Sequence, residues 1–257
     1  MEWNAGKFNE TCGRVTEHGM NLVDALKQAV YGNAVNSRCR GTVLDLGCGT
    51  GVLTNEIAGF AAKVIGIDSS AAMIKKASED YPDIEFHVMD GRALIWRDHF
   101  DAVFSNAVFH FIMDQDALLY SVHNALRSGG ALVCEFGASG NIASLLQTVA
   151  EACVKRGRDY TLRFYYPSAD EYDDLLNRHG FIVESITVYD LDTKLKEGWE
   201  ALRNWIAQIF SIEIGWFDNA EKESVFAEIE SALKSAQWDG ACWHLPNRRI
   251  RVFARKQ

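Results

Sequence analysis

The chain has 257 residues, a formal net charge of −9, 48% hydrophobic residues and 24% charged residues. These values are ordinary for one large α/β domain with a sizeable buried core. The acidic balance argues against a nucleic-acid partner, because binding to phosphates requires a basic surface.

Membranes, metals and disulfides are also disfavoured. No apolar run is long enough to span a bilayer, and the opening segment MEWNAGKFNE lacks the pattern of a signal peptide. The six cysteines are scattered without a C-x-x-C pair, which argues against a zinc site or a disulfide framework. We therefore expect a cytoplasmic protein without a metal site or a membrane partner.

The first predicted helix precedes every strand. Apolar residues recur at helical spacing between Val15 and Val35, after a polar opening that contains Trp3 and Phe8. These two aromatic side chains could close over a bound ligand, or they could simply anchor the segment to the surface.

A glycine-rich turn between a strand and a helix is the most informative stretch of the chain. The run Thr42–Leu44 is apolar and β-branched, as in a buried strand, and it leads into the turn Asp45–Gly51. The helical pattern Val52–Ala58 follows at once. Strand, turn and helix together are typical of the first half of a nucleotide-binding βαβ unit, in which glycine lets a ligand approach the backbone.

The turn does not match the dinucleotide-binding fingerprint G-x-G-x-x-G. When Gly47 and Gly49 are aligned with its first two glycines, Val52 occupies the place of the third. Asp45, which precedes Gly47, would also repel a pyrophosphate. The turn therefore favours a nucleoside that carries positive charge. An NAD-dependent dehydrogenase and another kind of glycine-turn α/β protein are the alternatives.

A carboxylate is predicted at the end of the second strand. The run Ala62–Ile67 leads to Asp68, about 20 residues after the turn, where a βαβ unit places an acid. Such a carboxylate can accept both hydrogens of a ribose diol. Asp68 could instead be the N-cap of the following helix, although Ser69 or Ser70 can cap that helix equally well.

Two more strands carry polar residues to the same edge of the sheet. Ile84–Met89 is followed by Asp90 and Gly91, and Phe100–Ala107 leads to His110. Ligands of α/β proteins bind at the carboxyl ends of parallel strands, so His110 is a candidate for contact with substrate or cofactor. A lone histidine is also often a plain core or surface residue.

The rest of the chain predicts a long insertion between two late strands. A helix over Asp116–Leu126, stopped by Gly129 and Gly130, precedes the strand Ala131–Phe136. The later elements are the helices Ile142–Val154 and Ser168–Arg178 and the strands Gly180–Val188 and Arg249–Ala254. The insertion Leu191–Pro246 is mainly helical, rich in tryptophan and far longer than a hairpin needs, so we expect it to form a cap.

Three motifs together resemble those of the class I S-adenosylmethionine-dependent methyltransferases. They are D-x-G-x-G-x-G at Asp45–Gly51, F-D-x-V-x-S-N at Phe100–Asn106 and L-R-S-G-G at Leu126–Gly130. The resemblance implies an α/β fold with a Rossmann-like, seven-stranded, mostly parallel sheet and helices on both of its faces.

The resemblance also implies a single methyltransferase domain over residues 1–257. Its core would comprise residues 37–190 and 247–257. Its helical cap, formed by the N-terminus and the insertion before the last strand, would comprise residues 1–36 and 191–246.

S-adenosylmethionine (SAM) is the implied cofactor, and its sulfonium and ammonium charges suit the acid of the turn. Asp90 would approach the exocyclic amine of adenine, and Met73 would either touch adenine or pack in the core. The implied cofactor-binding residues are Asp45, Gly47, Cys48, Gly49, Gly51, Asp68, Ser69, Met73, Asp90, Gly91, Asn106 and Ala107.

A narrower resemblance concerns the methyl acceptor. The opening W-N-A-x-x-F, the segment from Ser105 to Phe111, and Leu202–Trp205 are similar to the trans-aconitate methyltransferase-like group of small-acid methyltransferases. The similarity implies a small acidic substrate and O-methylation of a carboxylate. The implied substrate-binding residues are Arg203, Trp205 and Phe111, and the other cations that could hold an acid are Arg163, Arg248 and Arg249.

Alternatives remain for the acceptor and for the activity. A carboxylate is ionised at neutral pH and needs no base, so His110 would only orient it. A hydroxyl or amine acceptor, which would make the chain an N- or hydroxyl O-methyltransferase, would use His110 as a general base. The chain could also bind SAM without transferring a methyl group. No metal is expected, and either a monomer or a homodimer is compatible with the sequence.

Overall fold

One mixed sheet forms the centre of the computed structural model, which describes residues 18–30, 41–196 and 198–257. Its strands are β1 Thr42–Leu46, β2 Lys63–Asp68, β3 Glu85–Val88, β4 Phe100–Asn106, β5 Leu126–Gly137, β6 Phe181–Lys194 and β7 His244–Lys256. They lie side by side in the order β3-β2-β1-β4-β5-β7-β6. This arrangement confirms the predicted seven-stranded Rossmann-like fold.

The direction of the strands explains where ligands can bind. Strands β1 to β5 pair in parallel, whereas β7 is antiparallel to both of its neighbours, β5 and β6. The central parallel strands β1, β2 and β4 are largely buried, which accounts for apolar runs such as Val43–Leu44 and Val103–Phe104. The strand order reverses between β1 and β4, and the carboxyl ends at such a reversal border a crevice.

Helices cover both faces of the sheet. The helix over residues 18–30 is α1, and the others are α2 Val52–Ala58, α3 Ala71–Asp80, α4 Gln115–Ala125, α5 Ala143–Lys155, α6 Ala169–Arg178, α7 Ala201–Ile209, α8 Ser211–Gly215 and α9 Asn219–Gln237. Leu22 of α1 packs with Val43 on one face, and Leu118 of α4 and Leu175 of α6 pack with Leu44 on the other. None of these helices is both long and apolar enough to cross a membrane.

The transition from α4 to β5 differs from the prediction. α4 ends at Ala125, and Leu126 already has an extended backbone with φ −74° and ψ 144°. Gly129 and Gly130 therefore lie inside β5 and do not cap the helix. Gly130 leaves no room for a side chain, because a Cβ there would lie 2.8 Å from the carbonyl oxygen of Arg127.

The cap has its own hydrophobic core. This core joins α5, α7, α8 and α9 and includes Val149, Phe210 and Trp243. The sequence assigned α5 to the core of the domain, but its apolar face packs among the cap helices. Strands β6 and β7 also continue as a paired ribbon to Lys194 and His244, beyond the predicted ends of both strands. The boundary between core and cap therefore differs from the predicted one.

The N-terminal part of the predicted cap is described only for residues 18–30. Leu22, Val23 and Leu26 of this segment pack against the sheet, so this part of the chain belongs to the sheet layer. Trp3 and Phe8, which were candidates to close the site, lie outside the described residues.

Two glycines with similar backbone angles differ in the space around them, and this difference allows a test. Gly47 has φ +79° and a Cβ there would lie 2.2 Å from Cγ2 of Val108, whereas Gly129 has φ +74° with nothing within 4 Å. Gly129→Ala should lower the free energy of unfolding by about 1–2 kcal/mol, the cost of a left-handed backbone. Gly47→Ala should lower it clearly more, because the added methyl overlaps Val108. Urea denaturation measures both losses. Equal losses, or a Gly47→Ala loss that Val108→Ala does not reduce, would contradict the overlap.

Candidate active site

The glycine turn is tied to the end of β2 by its backbone. The N–H groups of Gly47 and Cys48 both donate to the carbonyl oxygen of Ile67, at 2.8 and 2.9 Å. The N–H of Gly49 donates to Oδ2 of Asp68 at 3.1 Å. These bonds hold the turn in one conformation beside the crevice between β1 and β4.

Asp68 lies at the carboxyl end of β2, as predicted. Its Oδ1 accepts a hydrogen bond from the N–H of Ser70 at 2.8 Å, while Oδ2 accepts the bond from Gly49. The N-cap of α3 is Ser70, whose Oγ accepts from the N–H of Met73, so this helix does not use Asp68 as its cap. Burial raises the pKa of Asp68, and the two backbone donors oppose that rise. Each oxygen keeps a further lone pair for a ligand hydroxyl.

Asp45 is buried beneath the turn. It belongs to β1, is 2% exposed and accepts a hydrogen bond of 2.6 Å from the hydroxyl of Thr54 in α2. Burial raises the pKa of Asp45 to about 7, the bond from Thr54 opposes the rise, and the negative charge of Asp68 adds to it. Asp45 therefore lies beneath the turn with one oxygen already bonded to Thr54, and its contact with the cofactor stays a prediction.

The two residues after β3 make contacts within the protein. Asp90 caps a short 3₁₀ helix through the N–H of Arg92, and the Arg92 guanidinium pairs with the same carboxylate at 2.6 Å. Hydrogen bonding to this side chain lowers the pKa of Asp90. Gly91 is buried, and a Cβ there would lie 3.1 Å from a methyl group of Leu46. Asp90 thus shares its oxygens with Arg92, and Gly91 is needed for packing.

The remaining predicted cofactor residues differ in exposure. Met73 is 2% exposed and Cys48 is 9% exposed, whereas Ser69 lies at the surface. Burial raises the pKa of the Cys48 thiol well above its ordinary value, and the nearby carboxylates of Asp45 and Asp68 add to this rise. Cys48 is therefore a neutral packing residue below the turn.

The end of β4 connects the turn with the rest of the site. The hydroxyl of Ser105 donates to the carbonyl oxygen of Leu46 at 2.7 Å, which joins β4 to β1. Asn106 is buried, and Ala107 has φ +60°, an uncommon angle for a residue with a side chain. The N–H of Ala107 donates to the carbonyl oxygen of Glu135 at 2.7 Å, and this bond holds the strained backbone in place.

This set of groups fits SAM better than a dinucleotide. The carboxylates of Asp45 and Asp68 lie next to the turn, where negative charge favours a sulfonium or an ammonium group. The N–H of Gly49, which a phosphate would need, already donates to Asp68. The acidic environment of the turn therefore agrees with the cofactor that the sequence implies.

A cavity of about 100 Å³ lies beyond the end of β4, between the sheet and the cap. Ala107 connects this acceptor cavity, as we call it below, with the end of the strand. The polar part of its lining comprises His18, His110, Asn141, Tyr166, Thr193, Asn247 and Arg249. The apolar part includes Phe111 and Trp205, whose contact with a substrate stays a prediction.

His110 is held as a neutral ring with a defined tautomer. Its Nδ1 accepts a hydrogen bond from the N–H of Gly137 at 3.3 Å, so the neutral ring carries its proton on Nε2. Burial lowers the pKa of His110 well below its ordinary value, and the positive charge of Arg249 adds to this effect. The rings of Phe111 and Tyr166 pack beside the imidazole, with centroids 4.2 and 5.7 Å away.

Arg249 brings a buried positive charge to the acceptor cavity. It lies opposite Gly137 in the ladder between β5 and β7 and is 7% exposed. Its Nε is 3.6 Å from Oε1 of Glu135, and neither atom has a hydrogen-bond partner among the described residues. The other oxygen of Glu135 accepts a bond of 2.6 Å from Nε of Arg251. Arg249 therefore has hydrogen-bonding capacity that this part of the chain does not use.

Arg203 pairs with acidic residues of the cap. Its guanidinium pairs with the buried carboxylate of Glu230 and, towards the surface, with Glu223 at 2.8 Å and Glu200 at 3.7 Å. It does not line the acceptor cavity. The ion pairs within the cap account for the charge of this cation, and its contact with an acid stays a prediction.

Of the other candidate cations, Arg249 is the one that lines the acceptor cavity, although no sequence pattern favoured it over the others. Arg163 pairs with Glu213 at 3.0 Å, and Arg248 is 3.9 Å from Asp190, so both face acidic partners outside the acceptor cavity. A signal for Arg249 existed in the alternation of the last strand, which places every second residue on one side of the sheet. The pairing of this strand with β5, which places Arg249 opposite Gly137, could not be predicted from the sequence.

A larger cavity, of about 760 Å³, lies on the opposite face of the ribbon formed by β6 and β7. Side chains alternate between the faces of a strand, so Asp192 and Arg248 line this cavity while Thr193 and Arg249 line the smaller one. The lining of the larger cavity includes none of the described residues at the ends of β1 and β4. The acceptor cavity is therefore the better candidate for chemistry next to a cofactor.

Comparisons with known proteins agree with this geometry. A family model described as a methyltransferase domain matches residues 43–130. An uncharacterized methyltransferase of Schizosaccharomyces pombe is 32% identical over 240 residues, which cover 87% of this chain and 89% of that relative. A trans-aconitate 2-methyltransferase of Deinococcus radiodurans is 39% identical over 147 residues, which cover 56% of this chain and 53% of that relative. The second match thus spans about half the length of either protein.

Among solved structures, the YcgJ protein from Bacillus subtilis has a similar fold. The TM-score is 0.64 with 15% sequence identity, and the superposition covers 93% of this chain and 99% of that one. At this level of identity the likeness concerns the fold alone.

The carboxylates after β2 and β3 can be compared in one binding experiment. Asp68→Asn removes charge-assisted hydrogen bonds worth about 1.5–3 kcal/mol, so the dissociation constant of S-adenosylhomocysteine should rise roughly 10- to 150-fold. Asp90→Asn should change it less, because this carboxylate already pairs with Arg92. Calorimetric titration measures both variants. An unchanged dissociation constant together with a lower melting temperature for Asp68→Asn would mean that the residue is only structural.

Asp45 should make the stability of the protein depend on pH. Its folded-state pKa of about 7 exceeds the ordinary 3.8, so the protonated form stabilises the fold, and this contribution is lost as the pH rises from about 4 through 7. Asp45→Asn cannot ionise. Between about pH 5 and pH 7 the variant should gain unfolding free energy relative to the wild type, by at most about 1.4 kcal/mol per pH unit. Urea denaturation across this range gives both curves, and parallel curves would contradict the shift.

Proposed function

The chain belongs to the class I S-adenosylmethionine-dependent methyltransferases, and we propose that it transfers the methyl group to the carboxylate of a small acid. The observation that carries the proposal is the acceptor cavity, in which the neutral His110 and the buried cation Arg249 lie together. The name of the Deinococcus radiodurans relative, which refers to an acid, supports the same class of acceptor.

The cofactor would lie across the ends of β1, β2 and β4. Asp68 would accept the hydroxyl groups of its ribose, and Asn106 and Ala107 would lie near the group that is transferred. When bound, SAM supplies a methyl group that the sulfonium already activates. The chain itself must hold the acceptor in line with that group and exclude water, and good alignment can contribute about 7–11 kcal/mol to catalysis.

The state of His110 favours an acceptor that needs no base. Because Nδ1 accepts from Gly137, the neutral ring has a donor at Nε2 and no free acceptor for a proton. Tyr166 is no substitute, since burial raises its pKa and keeps its hydroxyl protonated. A hydroxyl or amine acceptor would have to lose a proton to one of these groups. A carboxylate is already ionised and can accept a hydrogen bond from His110.

Arg249 supplies the charge that an acid requires. A planar guanidinium can hold a carboxylate through two parallel hydrogen bonds, and such charge-assisted bonds are stronger than neutral ones. Glu135 keeps its bond of 2.6 Å to Arg251, so Arg249 can turn its unused donors to a ligand without leaving that buried carboxylate unpaired. His110 and Arg249 would then hold the acceptor from two directions, which fixes the orientation of the reacting oxygen.

Product analysis tests this proposal. With SAM and a panel of small acids, the protein should form an alkali-labile methyl ester together with S-adenosylhomocysteine. The rate should be nearly flat between about pH 6 and pH 8, because carboxylates with a pKa near 4 are ionised throughout. His110→Ala should lower the rate about tenfold or less without changing the pH profile. A rate that climbs with pH in the wild type and loses this climb in His110→Ala would overturn carboxylate methylation.

The same assay includes a matched pair of arginine variants. Arg249→Gln should lower kcat/KM for the acid roughly 10- to 150-fold, mainly through KM, because it removes a charged partner of the acceptor. Arg203→Gln removes the same charge from the ion pairs of the cap and should leave KM near that of the wild type. Melting temperatures confirm that both variants are folded. A larger increase of KM in Arg203→Gln than in Arg249→Gln would indicate that Arg203 binds the acid.

A further inference from the structure

We propose that the natural acceptor is a monocarboxylic acid with a compact apolar body, and that polycarboxylates are poor substrates. This inference rests on the proposed function and narrows its substrate class. Three features of the acceptor cavity carry it: the number of charges, the nature of the walls and the size.

The buried charges next to the acceptor cavity balance a single carboxylate. Glu135, Arg249 and Arg251 form one group, in which two guanidinium groups share one carboxylate, so the group carries one net positive charge. Arg251 is also engaged by the hydroxyl of Tyr189, at 3.2 Å from its Nη2. One carboxylate of a substrate would therefore neutralise this group. The described lining residues include no arginine or lysine besides Arg249, so a second carboxylate would have no fixed positive charge beside it.

The apolar part of the wall offers a second carboxylate no partner in place of water. Around the polar groups the lining consists of the apolar side chains Phe111, Ile142, Phe164, Leu191, Trp205, Ile209 and Leu245. An ionised group that loses its hydration against such a surface without a partner is strongly destabilised. The same walls pack well against hydrocarbon, which favours an apolar body.

The neutral amides in the lining are already in use. Oδ1 of Asn141 accepts from the N–H of Arg248 at 2.9 Å, and Nδ2 of Asn247 donates to the carbonyl oxygen of Leu245 at 3.1 Å. These bonds hold the chain around the ribbon of β6 and β7. The remaining amide N–H groups could donate to a second carboxylate, but they are neutral and do not balance its charge.

The size of the acceptor cavity sets the third limit. Its volume of about 100 Å³ is smaller than the roughly 150 Å³ of an engineered apolar cavity that takes up benzene in another protein. The body of the acceptor should therefore be no larger than about one six-membered ring. A branched tricarboxylate exceeds this limit in both size and charge.

Matched pairs of acids with the same carbon skeleton test the inference. We would measure kcat/KM with SAM at about pH 8, where histidine side chains in general are neutral, for pentanoate against pentanedioate and for 3-methylbenzoate against benzene-1,3-dicarboxylate. Trans-aconitate serves as the polycarboxylate reference. The monoacid of each pair should exceed its diacid by at least about 30-fold, because the second carboxylate is buried without a partner. Ester formation and release of S-adenosylhomocysteine are both recorded.

A charge added at the rim gives an independent measurement. Thr193 lines the acceptor cavity on the same face of the ribbon as Arg249 and is partly exposed, so Thr193→Lys can offer a second cation. This variant should narrow the ratio of monoacid to diacid severalfold while it still methylates the monoacid. Thr193→Met, with a side chain of similar length and no charge, is the control and should leave the ratio unchanged.

The outcomes distinguish a failure of this inference from a failure of the proposed function. If the wild type methylates diacids or trans-aconitate better than the monoacids, the inference is wrong and carboxylate methylation stands. If Thr193→Lys is active on the monoacid and its ratio matches that of Thr193→Met, the charge argument is wrong. If the protein binds S-adenosylhomocysteine but methylates no acid of the panel while it methylates an amine or an alcohol, the proposed function fails together with the inference.

Discussion

A single backbone hydrogen bond, from the N–H of Gly137 to Nδ1 of His110, organises the acceptor side of this molecule. It decides which nitrogen of the imidazole carries the proton, and therefore whether the ring can give or take one. Gly137 also lies opposite Arg249 in the sheet, and the absence of its side chain leaves room for Tyr166, whose ring carbon would be 2.4 Å from an added Cβ. One residue at the end of β5 thus positions a neutral donor, a cation and an aromatic wall.

The sheet separates two electrostatic environments. On the side of β1 and β2, the carboxylates of Asp45 and Asp68 flank the glycine turn, where a cationic cofactor would favour their ionised forms. On the side of β5 and β7, Arg249 and its neighbour Arg251 provide positive charge, which would suit the proposed anionic acceptor. β4 lies between the two sides. Ser105 at its end donates a hydrogen bond to β1, and Ala107, which follows the strand, donates one to β5. A cationic cofactor and the proposed anionic acceptor would thereby approach the same strand end from opposite directions.

The positions of the glycine turn and of Asp68 could be predicted from the sequence because their signals are local. The glycine turn and Asp68 follow directly from the order of strand, turn and helix, and the structure has both at the expected strand ends. The acceptor side depends on contacts between distant parts of the chain. Arg249 lies at the acceptor cavity because β7 pairs with β5. Arg203 instead pairs with Glu223 and Glu230 of α9 and with Glu200, which precedes α7. The place of α5 in the cap was missed for the same reason, since its amphipathic pattern fits either layer.

The ribbon of β6 and β7 has a mechanical consequence. From Ser185 to Lys194 its two strands stay paired without a shift of register, and they run from the central sheet directly into the cap. The hydrogen-bonded ladder therefore crosses the border between sheet and cap without a break, and we expect the wall that carries Arg249 to move less than a loop would. If the wall keeps its shape when a ligand binds, the acceptor cavity selects its ligand by fit. Exchanging side chains on the ribbon would then change which ligands fit while the path of the backbone stays the same.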